Sequence, residues 1–130
     1  MIAPKDMAEI AANYAAAWSS GNPEAVASFF AEDGQISINK GEVLSGRAAI
    51  TDMAAGFYAE FPDLIVRLDN FRVAGDHALF AWTLEGHHSE TKNHVQIGGW
   101  EEWELSSDGR VAKSLGWFDA AEYDRQVQGG

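Results

Sequence analysis

Acids set among tryptophans in the last third of the chain hold its most suggestive chemistry. The segments are Gly98-Gly99-Trp100-Glu101-Glu102-Trp103-Glu104-Leu105, Asp108-Gly109-Arg110 and Gly116-Trp117-Phe118-Asp119. A carboxylate beside indole rings is costly to keep ionised unless something compensates it, so such an acid points to a small-molecule site. If Val95, Ile97, Gly99, Glu101, Trp103 and Leu105 share one strand face, Glu101 is an acid in an apolar row. Facing a pocket, it is an acid/base group; facing outward, it meets water or a partner. The alternate row of Gln96, Gly98, Trp100, Glu102 and Glu104 is more polar and is the expected solvent side, and one bulge at Gly98-Gly99 would exchange the two. Asp119 is the other candidate. Partial burial beside Trp117 and Phe118 would raise its pKa toward that of a base able to lift a proton from carbon next to a carbonyl. Its alternative role is to cap a helix beginning at Ala120.

Further polar groups are candidates for the opposite side of such a site. His87 and His88 point to opposite sides of their strand, so one of them faces inward, where imidazole can polarise a carbonyl or shuttle a proton. The alternative is a solvated or hydrogen-bonded histidine. With His94 they raise the question of a metal, but the spacing fits no common zinc pattern and no cysteine supports it, so no metal is expected. Tyr14 lies at helical spacing with Ile10 and Trp18 and reads as core. Arg67-Leu68-Asp69 reads as a surface ion pair. Trp18, Phe30, Met53, Phe57, Tyr58, Trp82, Trp103 and Trp117 are the candidate walls of an apolar pocket for a flat hydrophobic ligand, with at least half of them expected to fill the core. No serine-histidine-acid or cysteine-histidine arrangement stands out. No phosphate loop is present either, since Gly98-Gly99 lies inside a strand-like segment, and no cofactor is expected.

Length and composition frame these residues. A chain of 130 residues, 46 % hydrophobic, is expected to be a single domain, 1–130, with a real core. The net charge of −11 disfavours nucleic acid and anionic membrane surfaces as partners. No apolar run reaches membrane-spanning length, and no basic-then-hydrophobic leader is visible at the N-terminus. There is no cysteine, which excludes disulfides and favours a cytoplasmic location.

The elements that must position the candidates change period midway. Met7, Ile10, Tyr14, Ala17 and Trp18 share a helical face, Asp6 and Glu9 have capping-box spacing, and Gly21 stops the helix. Asn22-Pro23 restarts a second helix whose apolar side is Val26, Phe29 and Phe30. A short strand at 35–39 follows. Ser45-Gly46 opens a third helix with the stripe Ile50, Met53, Phe57, Tyr58 and Phe61, and Pro62 ends it. Strands at 64–73, 77–90, 94–105 and 111–118 come next, then a short helix at 120–128. Helices first and consecutive hairpin-linked strands afterwards predict an α+β fold, with three N-terminal helices packed on a curved antiparallel sheet.

The order and spacing of these pieces resemble the NTF2-like superfamily of cone-shaped α+β barrels. Within it, the chain is similar to the SnoaL-like group of polyketide cyclases and ketosteroid isomerase relatives. The residues that carry the resemblance span essentially the whole chain: Tyr14, Trp18, Asn22-Pro23, Phe29-Phe30-Ala31-Glu32-Asp33-Gly34, Gly46-Arg47-Ala48-Ala49-Ile50, Phe61-Pro62-Asp63-Leu64 and Asp108-Gly109-Arg110 leading to Phe118-Asp119. The resemblance implies a conical pocket between sheet and helices and a homodimer built on the outer sheet face. It also implies a strand-end aspartate base at Asp119, with a histidine or tyrosine opposite the acid. The pattern departs from limonene-type epoxide hydrolases at Gly116, where those enzymes carry a further aspartate. It fits ketosteroid isomerases poorly, because the base position after the first strand offers only Glu42. The expected function is cofactor-independent acid/base isomerisation or cyclisation of a small apolar carbonyl compound. Asp119 or Glu101 would be the base, and His87, His88 or Tyr14 would sit on the enolate oxygen. The alternative is a non-catalytic module for hydrophobic-ligand binding or dimerisation.

Overall fold

A computed structural model describes residues 4–129. Helix α1 spans Pro4–Ser19 and buries Met7, Ala11, Tyr14, Ala15 and Trp18, the face set by helical spacing. Because α1 begins at Pro4, Asp6 lies in its first turn rather than at a cap, where its charge still favours the helix N-terminus. Asn22 caps α2 (Pro23–Ala27), its Oδ1 accepting from the backbone N–H of Glu24 at 3.0 Å.

Helix α2 is shorter than its apolar spacing predicts. Phe30 leaves it to begin strand β1 (Phe30–Ile38), which is correspondingly longer than the expected 35–39. Tertiary partners decide this: the Arg47 guanidinium donates to the Phe30 carbonyl at 2.8 and 3.0 Å, and Phe30 pairs with Val111. A two-residue strand β2 (Leu44–Ser45) pairs with β1. Ser45 is therefore in the sheet, and Gly46, at φ 89°, is the N-cap of α3 (Arg47–Glu60) without a side-chain hydrogen bond.

Strands β3 (Ile65–Ala74), β4 (His77–His87), β5 (His94–Leu105) and β6 (Val111–Phe118) form the expected antiparallel meander. The order across the sheet is β2-β1-β6-β5-β4-β3, and β1 runs parallel to β6, so the sheet is mixed rather than wholly antiparallel. It is curved but not closed: β2 and β3 are its edges, and the architecture is an open α+β cone rather than a complete barrel. Strand β4 stops at His87, three residues early. The His88 imidazole Nδ1 accepts from the backbone N–H groups of Glu90 and Thr91 and turns the chain there. Helix α4 (Ala120–Gln128) docks beside β5 through Asn93 Nδ2 donating to the Val127 carbonyl at 2.8 Å and Gln96 N–H donating to Gln126 Oε1 at 2.7 Å.

The inner sheet face and the helices enclose one core that includes Phe30, Ile50, Phe61, Phe80, Val95 and Trp103. The β4–β5 register runs unbroken from His77↔Glu104 to His87↔His94. No bulge interrupts Gly98-Gly99, so the apolar row of β5 stays on the inner face along the whole strand and carries Glu101 with it. No described helix is long and apolar enough to cross a membrane.

Candidate active site

Glu101 sits midway along β5 with only 7 % of its surface exposed. Its neighbours follow from sheet geometry. Trp103 is two residues along, on the same face, and its Nε1–H donates to Glu101 Oε1 at 2.9 Å. Ser114 stands across from Trp103 on β6 and donates its hydroxyl to the same oxygen at 2.7 Å. Tyr14 reaches down from α1 and straddles the carboxylate, its hydroxyl 3.2 Å from Oε1 and 3.1 Å from Oε2. Oε1 is thus saturated by two short bonds, while Oε2 holds only the shared tyrosine proton.

All these partners are neutral donors, and no cation is among them. Burial pushes the Glu101 carboxyl above its ordinary value, and the bonds from Trp103, Ser114 and Tyr14 pull it partly back. Tyr14 is fully buried, and burial together with the negative charge of Glu101 holds its phenol well above the usual range, so it remains a donor.

Glu101 also forms part of the wall of a narrow cavity between the sheet and the helices, with about 620 Å³ of empty space counting its open mouth. The aromatic wall comes from α1 (Trp18), α3 (Phe57), β4 (Phe80, Trp82), β6 (Phe118) and α4 (Tyr123). Gly116 faces Glu101 across β6, and a methyl built there would meet only ordinary contacts, the nearest at 3.6 Å. At Gly99, opposite Trp82, a methyl would lie 2.4 Å from the Trp117 carbonyl and 2.5 Å from the Trp82 ring. Glycine there lets the indole lie across the strand.

The other residues singled out in the sequence fall in several places. Trp18, Met53, Phe57 and Trp82 line the cavity. Trp117 borders it, but it pairs with Trp100 on β5, which strand alternation assigns to the outer row. Phe30 and Trp103 are buried core, Trp103 stacking on Phe80 at 5.2 Å, and the Tyr58 hydroxyl donates to the Trp18 carbonyl at 2.7 Å. Tyr14 is core as well, and it acts on Glu101 from beneath.

Neither His87 nor His88 lines the cavity. His87 is exposed, with Nδ1 2.6 Å from Asp63 Oδ2. His88 packs its ring edge-on against Phe61 and serves the turn after β4. Asp119 is exposed and caps α4, accepting from the Glu122 N–H at 3.1 Å. Arg67 pairs across the strands with Glu85 at 2.8 Å, while Asp69 accepts from the Thr83 hydroxyl. Among the described residues no group of three or more acids or histidines is placed to hold a metal.

Three participants escaped the sequence reading. Ser114 is signalled only by its place opposite Trp103. Gly116 was noted for a departure and proves to open space beside the acid. Tyr123, on α4, lines the cavity and donates to Glu60 Oε1 at 2.5 Å.

Comparison with solved structures returns the same architecture. A protein with a ketosteroid isomerase-like fold from Catenulispora acidiphila, in complex with trimethylamine, superposes with a TM-score of 0.85 at 22 % identity over 92 % of each chain. The epoxide hydrolase/cyclase-like enzyme SalBIII, of pyran ring formation in the polyether salinomycin, gives 0.80 at 17 % identity over 91 % of this chain and 94 % of its own. A candidate SnoaL-like polyketide cyclase from Jannaschia sp. CCS1 gives 0.82 at 14 % identity over 100 % and 98 %. No curated protein matches the sequence. The model of the SnoaL-like domain matches residues 11–114, a span that runs from the first helix through the strands bearing Glu101 and Ser114. With the α+β cone and the buried acid in place, the chain belongs to the SnoaL-like domain family, within the NTF2-like fold.

Proposed function

We propose that the protein is a cofactor-independent acid/base enzyme that isomerises or cyclises a small apolar carbonyl compound, with Glu101 as the base. The observation that carries this is a buried carboxylate in the cavity wall, held by three neutral donors, with one oxygen left largely unoccupied. Such an oxygen has capacity to accept a proton, and burial raises its basicity. In this reading Oε2 takes the proton from carbon next to the carbonyl, and Trp103 and Ser114 fix the carboxylate plane through Oε1. Tyr14 is a positioning residue that keeps the acid ionised.

The developing enolate oxygen needs a donor opposite the base. Tyr123 carries a hydroxyl in the cavity lining, and it would exchange its bond to Glu60 for one to the substrate oxygen. The apolar walls favour a flat, hydrophobic substrate. The exposed Trp100, Leu79 and Ile65 on the outer sheet face support pairing with a second copy of the chain.

The test is proton–deuterium exchange and isomerisation of small enones and aromatic polyketide-like compounds. Glu101→Gln is expected to lower turnover by roughly a hundredfold or more, whereas Asp119→Asn leaves it unchanged. If Glu101→Gln keeps full turnover, Glu101 is not the base. Ligand binding without turnover of any such compound would instead favour a non-catalytic binding module.

A further inference from the structure

The reading above leaves one energetic question open, which is what balances the charge on Glu101. Ionised, this carboxylate is buried, and among the described residues no lysine, arginine or histidine is bonded to it and no basic side chain lines the cavity. Neutral donors offset only part of the cost of burying a charge. The wall facing it is dominated by rings: Trp18, Phe57, Phe80, Trp82, Phe118 and Tyr123. The faces of aromatic rings are electronegative, so rings beside a buried carboxylate favour a cation over an anion. An anionic ligand is disfavoured throughout, and a neutral one leaves the acid unbalanced.

We infer that the cavity takes a small organic cation, a protonated or quaternary amine with apolar substituents, whose charge faces Glu101 and the surrounding rings. The inference rests on Glu101 being the ionised acid of the site, as in the proposed function, and it deepens that reading: the carbonyl substrate carries an ammonium group. An alkylammonium suits the lining because its charge is spread over apolar groups and its weak hydration is cheaply lost. A compact metal ion does not suit it, since the wall offers a single carboxylate and no further charged ligand.

The experiment compares choline and tetramethylammonium with 3,3-dimethyl-1-butanol, the uncharged isostere of choline, by calorimetry and tryptophan fluorescence on the intact protein. Choline is expected to bind at least about tenfold tighter than the isostere. Glu101→Gln should reduce that preference. Trp82→Leu is expected to weaken choline more than the isostere. Should the glutamine variant fail to fold, wild-type protein decides: quaternary ammonium affinity must fall as pH drops and Glu101 takes up a proton, Tyr14 being the only other titratable side chain bonded to it. Equal binding of the isostere, a preference undiminished by Glu101→Gln, or no binding of either cation overturns the inference. Turnover of neutral carbonyl compounds that depends on Glu101 would in those cases leave the acid/base reading standing, so the two failures are distinct.

Discussion

Glu101 is a carboxylate whose surroundings set its proton affinity through opposing effects, burial against three hydrogen bonds. Tyr14→Phe removes one of the bonds without opening space. The carboxyl should then titrate higher still, so the acid limb of the pH–rate profile moves to higher pH and kcat falls more than affinity. The lost bond should cost about 1 kcal/mol of stability, measured by denaturant unfolding. A stability slope follows from the same group. Its folded pKa lies above the ordinary 4.5, so the native state binds more protons than the unfolded chain between those two values. Stability is therefore greatest below the unfolded value and is lost as pH rises through the folded one. Glu101→Gln should flatten that slope in unfolding experiments run across pH. The alternation of β5 offered the inner placement of Glu101 as one of two readings, because its own row is apolar and the other row more polar, and the unbroken β4–β5 register decides between them. The hydroxyls of Ser114 and Tyr14 were not readable as its partners, since each lies on a different element and meets it only after the sheet and α1 are packed.

Among the elements, β5, β6 and α4 divide the work. Two glycines on the first two of these set the cavity's shape in opposite ways. Gly99→Ala forces a methyl into the Trp117 carbonyl and the Trp82 ring, so β5 must shift or the indole must swing into the cavity. A loss of about 1–3 kcal/mol and weakened ligand binding are expected, read by thermal unfolding and titration. Gly116→Ala meets only ordinary contacts, so the fold should hold while the space beside Glu101 narrows and bulky substrates lose kcat/KM. Helix α4 depends on Asp119 in another way. Its carboxylate satisfies the Glu122 N–H, so Asp119→Ala should cost about 1 kcal/mol of stability. Capping was one of the two roles readable from Ala120-Ala121-Glu122; only the fold shows that the side chain lies exposed and outside the cavity lining. His87 and His88 show the limit of strand alternation. It assigned one of them to the interior, but β4 ends between them, and Asp63 and the following turn take up their rings.

For the whole molecule, the open sheet leaves one face uncovered by its own helices, with Trp100 41 % and Leu79 37 % exposed there. If this face pairs with a second copy, as proposed, Trp100→Glu should leave a monomer in sedimentation or light scattering without changing the fold, since the side chain's hydrogen bond goes to neighbouring Glu102. At this scale helix and strand periods, caps and turns carry their information locally, so the α+β class and the meander could be read along the chain. The parallel pairing of β1 with β6, the edge strand β2 and the open rather than closed sheet join residues far apart in sequence, and no local period encodes them. The sequence alone determined the helices and the meander of strands, and that one row of β5 sets an acid among apolar residues. Tertiary structure alone decided that this acid borders a cavity, that Tyr14 and Ser114 hold it and that Asp119 does not line that cavity, because hydrogen bonding and desolvation depend on distances in space that spacing along a chain does not specify.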